Sequence, residues 1–269
     1  AIPLLIYGTA RRHGKTPPEV HMALQAGYRA IDTAGSRRFH LEPQDGEAIQ
    51  SFLTHGDGDN TNHGPASVPA SVQRDRIFVQ SKFAAPPGDK APLPYNIGDD
   101  IKTCVLKSIL RSADDLGTDT IDAYFLHTPL GSTGATVEAW RALEQLVDHG
   151  AVRYLGISNV TLRRLSPLYK EARLKPTFVQ NWFRKGTAYD HDVMAFCREY
   201  GIVYQIFGVF DEENAGLLQC TPVEKQSRAT SVSPHQALIH LLLAAAAARG
   251  LKLCILDGTT SPVHMRQNL

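Results

Sequence analysis

The chain has 269 residues, 43% hydrophobic and 20% charged, with a formal net charge of +1. This is ordinary for a globular protein that buries a full core, and the near-neutral balance gives no reason to expect nucleic acid or a membrane surface as partner. Cys104, Cys197, Cys220 and Cys254 are scattered with no CxxC, which argues for reduced thiols and against a disulfide framework or a zinc site; no metal ligands are assigned. The longest apolar run, Ala237 to Ala248, contains His240 and is too short to span a bilayer. No charged-apolar-small signal opens the chain, so the expectation is a cytoplasmic protein.

Leu4 to Tyr7, followed by Gly8-Thr9, predicts a first strand, and Pro17-Pro18-Glu19 opens a helix that runs to Ala26 and stops at Gly27. Tyr28 to Asp32 is the second strand and Asp45 to Leu53 the next helix. Thr54 to Ser71, mostly Gly, Asn, Asp, His, Pro and Ser, cannot build a core and is expected to be a surface insertion (54–71) in a single domain covering 1–269. Arg76 to Phe83 is strand three, and a Pro-rich loop leads to a helix from Ile97 to Leu116, apolar at Ile101, Val105 and Ile109 and ended by Gly117. Strands then follow at Ile121–His127, Val152–Ile157, Thr177–Gln180, Ile202–Phe207 and Leu251–Leu256. Helices fall between them at Val137–Val147, Thr161–Ala172, Asp190–Tyr200 and Ser233–Ala248, with a short last helix from Pro262.

Eight near-continuously apolar strands alternating with helices mean parallel pairing with right-handed crossovers. A closed barrel and an open doubly wound sheet both fit, but no GxGxxG follows the first strand. The polar residues Asp32, Lys82, His127, Asn159 and Gln180 fall where strands end. In an α/β (β/α)8 TIM barrel all such ends meet at one C-terminal mouth, where active sites lie, so the parallel eight-stranded barrel is the expected fold.

Gly27-Tyr28-Arg29-Ala30-Ile31-Asp32-Thr33-Ala34, then Phe39-His40-Leu41-Glu42 and Gly46-Glu47-Ala48-Ile49, resemble the aldo-keto reductase pattern GYRxIDTA…Y.NE…GEAI. The resemblance extends to Ile77–Lys82, Ile121–His127, Gly156-Ile157-Ser158-Asn159, Val179-Gln180-Asn181 and Gly258–Arg266, in the family's order over nearly the whole chain. It implies hydride transfer between a nicotinamide and a carbonyl. A tyrosine phenol would donate the proton, a lysine lower its pKa, an aspartate pair with the lysine and a histidine orient the carbonyl. Asp32, Lys82 and His127 match three of those positions. The tyrosine is missing: its position falls on Phe39 or His40, and an alignment with longer-looped microbial relatives selects His40. Phenylalanine has no proton to give. Histidine, with an ordinary pKa of about 6.5 against a phenol's roughly 10, does, and like charge from Lys82 favours its neutral form. The alternatives are that a water gives the proton in its place, or that His40 is a loop residue facing water.

The same resemblance implies that Ser158, Asn159 and Gln180 bind the carboxamide and that Phe207 stacks on the nicotinamide, although Phe207-Gly208-Val209-Phe210 departs from the common Y-S-P-L. Gly8, Thr9, Gly258, Thr259, Thr260, His264 and Asn268 complete the nucleotide set. The K-S…R grip on the 2′-phosphate is replaced by Gly258-Thr259 and His264, with Arg266 as the nearest guanidinium. The expected cofactor is NADP(H), with NAD(H) or none as alternatives, and the expected partner is a small-molecule carbonyl or alcohol met by a monomer or weak homo-oligomer. Two other functions compete: a non-redox acid/base enzyme on the same barrel, and a binding or regulatory scaffold. Segments 54–71, 84–96 and 211–231 are expected to shape the mouth as loops. The stop at Leu269 inside the final helix is expected to leave a C-terminal tail short or absent.

Overall fold

A computed structural model describes residues 2–10, 16–55, 74–83, 85, 93–96 and 98–269. Eight parallel strands close into a barrel in chain order: β1 (Leu5–Gly8), β2 (Ala30–Asp32), β3 (Phe78–Phe83), β4 (Ile121–Leu126), β5 (Val152–Ser158), β6 (Phe178–Trp182), β7 (Val203–Phe207) and β8 (Leu253–Asp257), with β8 pairing back to β1. Around them lie α1 (Thr16–Ala26), α2 (Glu42–His55), α3 (Ile101–Leu116), α4 (Thr133–Asp148), α5 (Leu162–Glu171), α6 (His191–Tyr200), α7 (Thr221–Thr230), α8 (Pro234–Ala248) and α9 (Pro262–Asn268). The fold is the (β/α)8 barrel expected from the strand alternation.

Apart from Arg153 and Tyr154, exposed on β5, the strands are buried on both faces, which is why their runs are mostly apolar without alternation. One face packs under the helices in a single large cluster; the other fills the barrel, where Ile6, Ala123, Phe125, Phe178, Val203 and Leu256 meet. Phe125 and Phe178 stack there with ring centroids 5.8 Å apart. Gly156 on β5 makes room for them, since a Cβ at that position would lie 2.8 Å from Phe125 Cζ. Above this apolar floor the inward positions turn polar, and the site begins.

Several boundaries differ from expectation. α2 starts at Glu42 because Pro43 sits in the first turn, where its missing N–H costs nothing, and this places Glu42 and Asp45 beside the positive helix end. α3 starts after Asp100, whose Oδ1 accepts from Thr103 N at 2.8 Å; Ile97 lies outside the described residues. Thr54 and His55 close α2 rather than opening an insertion, and residues 56–73 lie outside the described residues, as do 84 and 86–92. Segment 211–231 is a correction: it holds a short 3-10 stretch, Glu212–Gln219, and the helix α7. In α7 only Val223 is buried, so no apolar stripe announced the helix. The four cysteines are free. Among the described residues no single helix is long and apolar enough to cross a membrane.

Glu42 gives a testable pH effect. It is buried between β3 and α3, where it accepts hydrogen bonds from the hydroxyls of Ser81 and of Ser112 (2.9 Å). Burial, opposed by those two bonds, pushes its carboxyl up to about 7. The folded chain thus holds this proton more tightly than the unfolded chain. The resulting stabilisation is complete below 4.5 and is lost as pH rises through about 7. We expect stability to fall by at most roughly 3 kcal/mol between pH 4.5 and about pH 8 from this group. Denaturant melts across that range check it: Glu42→Gln should flatten the slope, and an unchanged slope would assign it elsewhere.

Candidate active site

The site is built where β2, β3 and β4 end. Residues alternate along β3, so Gln80 and Lys82 point into the barrel while Val79 and Phe83 pack outward. Lys82 is only 2% exposed, and its Nζ donates to Asp32 Oδ1 (2.6 Å), Asp32 Oδ2 (2.7 Å) and Thr33 O (2.8 Å). An ammonium has three hydrogens, and three acceptors take them. Lys82 therefore offers the mouth a charge rather than a proton donor.

Asp32 is held from a second side by carboxamides. Its Oδ1 also accepts from Gln80 Nε2 (2.6 Å) and Gln180 Nε2 (3.0 Å). Gln80 and Gln205 exchange amide bonds at 2.9 and 3.0 Å, and Gln180 Nε2 reaches Gln205 Oε1 at 2.9 Å. These three glutamines form a hydrogen-bonded layer across the barrel beneath the ion pair. Both amide hydrogens of Gln180 are used, so only its Oε1 is left to receive a ligand.

His127 follows β4, anchored by its N–H to Phe83 O at 3.2 Å. Burial, and then the nearby Lys82 ammonium, push its pKa down to about 4, so the ring is neutral at physiological pH. The loop after β2 turns through Ser36, whose carbonyl accepts from both Phe39 N and His40 N, and swings the His40 ring inward. His40 is buried, with its ring centroid 6.3 Å from that of His127 and the planes at 69°. Phe39 is half-exposed beneath the Arg38 guanidinium. The water-facing alternative for His40 does not describe this ring.

A cavity of about 640 Å³ opens over these groups, and Asp32, His40, Lys82 and His127 share its walls. Gly8, Ser158, Asn159, Gln180 and Phe207 line it too, and at the far end so do Gly258, Thr259, His264 and Asn268. Thr9 and Thr260 do not, nor does the exposed Arg266. Thr9 is fully buried behind the loop instead. Asn159 adopts a left-handed backbone (φ 53), which asparagine tolerates, and its Nδ2 donates to His127 O at 2.9 Å. Asn268 donates to Asp257 Oδ2 at 2.8 Å, an oxygen that also accepts from the Tyr28 hydroxyl. The motif tyrosine Tyr28 thus ties the segment leading into β2 to the end of β8.

Trp182 and His235 are among the wall residues that escaped the sequence reading. β6 continues two residues past Gln180, bringing Trp182 into the wall, stacked on Phe207 at 6.4 Å and 17°. Its indole lies under the Arg184 guanidinium, 4.7 Å from the ring centroid. His235, from the start of α8, stacks on His264 at 6.2 Å and 16°. Neither carries a local signal: the first depends on where a strand ends, the second on two helix starts meeting in space. Among the described residues no three His, Cys, Asp or Glu are arranged to hold a metal ion.

The sequence profile of the Aldo/keto reductase family matches residues 6–245. The chain belongs to that family. It is 26% identical over 238 residues to glycerol 2-dehydrogenase (NADP(+)) of Hypocrea jecorina, covering 79% of this chain and 66% of that protein. It is 26% identical over 257 residues to an aldo-keto reductase of Mycolicibacterium vanbaalenii, covering 92% of this chain and 74% of that one. Other curated relatives, including an oxidoreductase of Bacillus subtilis, are spanned only to about half of their length (54%). Among solved structures, an aldo-keto reductase from Brucella melitensis superposes with a TM-score of 0.75 at 24% identity, over 99% of this chain and 88% of that one. A Bombyx mori aldo-keto reductase in complex with NADP superposes with a TM-score of 0.74 at 21% identity, over 99% and 83%. At these identities the structural matches speak to the fold.

Proposed function

We propose that this family member is an NADP(H)-dependent reductase of a small-molecule carbonyl, or oxidant of the matching alcohol, in which His40 handles the proton. The observation that carries the reading is the buried Lys82–Asp32 pair under the His40 and His127 rings, at one end of a cavity that runs to Gly258 and His264. The donor set fits a nicotinamide nucleotide. Ser158, Asn159 and Gln180 Oε1 suit a carboxamide, Phe207 gives a ring face, and His264 and Thr259 stand at the phosphate end. When bound, the nucleotide supplies or takes the hydride.

The chain's own residues do the rest. Neutral His127 donates one N–H to the carbonyl oxygen and aligns it. The Lys82 ammonium stabilises negative charge developing on that oxygen through its field. His40 as imidazolium gives the proton in reduction; as neutral imidazole it takes the hydroxyl proton in oxidation. The relative named for NADP and glycerol supports a polar carbonyl substrate. The same reading carries a cytoplasmic, monomeric or weakly oligomeric enzyme in one domain.

Titration with NADPH and NADH, followed by quenching of intrinsic fluorescence, tests it together with turnover of a carbonyl panel. Micromolar NADPH binding with turnover is expected, and His40→Ala should lose about 10²–10⁴-fold in rate. No binding of either nucleotide at millimolar levels would remove hydride transfer. A wild-type rate in His40→Ala would remove His40 from the proton step.

A further inference from the structure

Behind His40, away from the cavity, three side chains from separate elements form a chain of hydrogen bonds. His40 Nδ1 lies 3.2 Å from Thr9 Oγ1. Thr9 Oγ1 donates to Asp45 Oδ2 at 2.9 Å, and Thr33 Oγ1 donates to the same oxygen at 2.6 Å. Thr9 follows β1 and is fixed by its own N–H to Asp32 O at 3.0 Å; Thr33 follows β2; Asp45 sits in the first turn of α2. Thr9, Thr33 and Asp45 are fully buried and His40 nearly so.

A hydroxyl has one hydrogen and two lone pairs. Thr9 spends its hydrogen on Asp45 Oδ2. What Thr9 offers His40 is therefore a lone pair, and His40 Nδ1 must carry a hydrogen to use it. We propose that Thr9 and Asp45 are positioning residues that hold His40 in the Nδ1–H form, so that Nε2 is the nitrogen exchanging the proton with the substrate oxygen. This rests on the proton role given to His40 above. The proton balance closes through water: a solvent proton on Nε2 makes the imidazolium, reduction passes that hydrogen from Nε2 to the substrate oxygen, and Nδ1 keeps its own throughout. Thr9, expected from the resemblance to touch the nucleotide, does not line the cavity and meets His40 Nδ1 instead. The arrangement follows the logic by which a carboxylate fixes a catalytic histidine's tautomer, here with a hydroxyl between them.

The experiment is long-range ¹H–¹⁵N correlation on protein labelled at histidine, at about pH 8.5, well above the ordinary histidine pKa. The His40 signals are assigned by their loss in His40→Gln. The expected wild-type result is the Nδ1–H tautomer; an Nε2–H tautomer overturns the proposal, with no variant needed. Thr9→Val should shift the population toward Nε2–H and lower kcat about tenfold or more with the nucleotide Kd unchanged, while Thr9→Ser should restore both. An unmoved tautomer in folded Thr9→Val also overturns it. If the tautomer behaves as expected but His40→Ala turns over normally, the positioning stands and the proton role of His40 falls.

Discussion

Lys82→Met should abolish measurable turnover, a loss of at least about 10²–10³-fold, while nucleotide binding survives. The methionine keeps the length of the side chain and removes the charge. The oxygen that becomes an alkoxide then has no cation beneath it, and no other residue on β3 can supply one. Stability falls as well, because Asp32 stays buried without its counter-ion, a change that costs about 3–5 kcal/mol in such pairs. The amide bonds from Gln80 and Gln180 remain and soften that cost. Adding Asp32→Asn removes the orphaned charge, so the double variant should regain most of the lost melting temperature and none of the activity. Folded Lys82→Met that turns over at the wild-type rate would show that the ion pair is architecture only.

Gly46→Ala should lower the melting temperature by several degrees without changing activity per folded molecule. Alanine normally stabilises a helix by up to about 1 kcal/mol over glycine, so the propensity argument predicts the opposite sign. Packing overrides it. Gly46 faces the end of α3, where an added Cβ would sit 2.7 Å from Leu116 Cα and closer still to the Asp115 carbonyl oxygen. Those are backbone atoms held by the α3 terminus, where Gly117 takes a left-handed conformation (φ 63), so neither can turn aside. Separating the helices costs roughly 1–3 kcal/mol. A thermal melt decides the matter: a raised melting temperature would mean the two helices slide apart freely.

Gly46 also shows how unevenly the sequence could be read. The GEAI motif marked the family, but the need for its glycine is a helix contact invisible in the motif itself. The barrel was legible because a strand buried on both faces leaves a continuous apolar run, and eight such runs alternate with helices. Asp32, Lys82 and His127 were legible because each ends a strand, and strand ends converge. Asp45 and Trp182 were not, and Thr9 was singled out for the nucleotide rather than for His40. The bonds from Thr9 span 31 and 36 residues and follow no helix or strand period, so nothing local distinguishes Thr9 from a turn residue or Asp45 from a helix-start acid. The inward turn of His40 depends on two N–H groups closing on Ser36 O, a loop geometry that composition does not encode.

The glutamine layer under the ion pair carries one more consequence. Carboxamides neither gain nor lose protons in water's range, so Gln80, Gln180 and Gln205 present the same dipoles in acid and in base. Whatever happens at the mouth, this layer beneath the ion pair keeps the same dipoles. On the proton role proposed for His40, an exchange of phenol for imidazole at position 40 would alter which atom carries the proton without changing the dipoles of the layer below. The layer works as fixed ground wiring, against which the proton-handling part can be swapped.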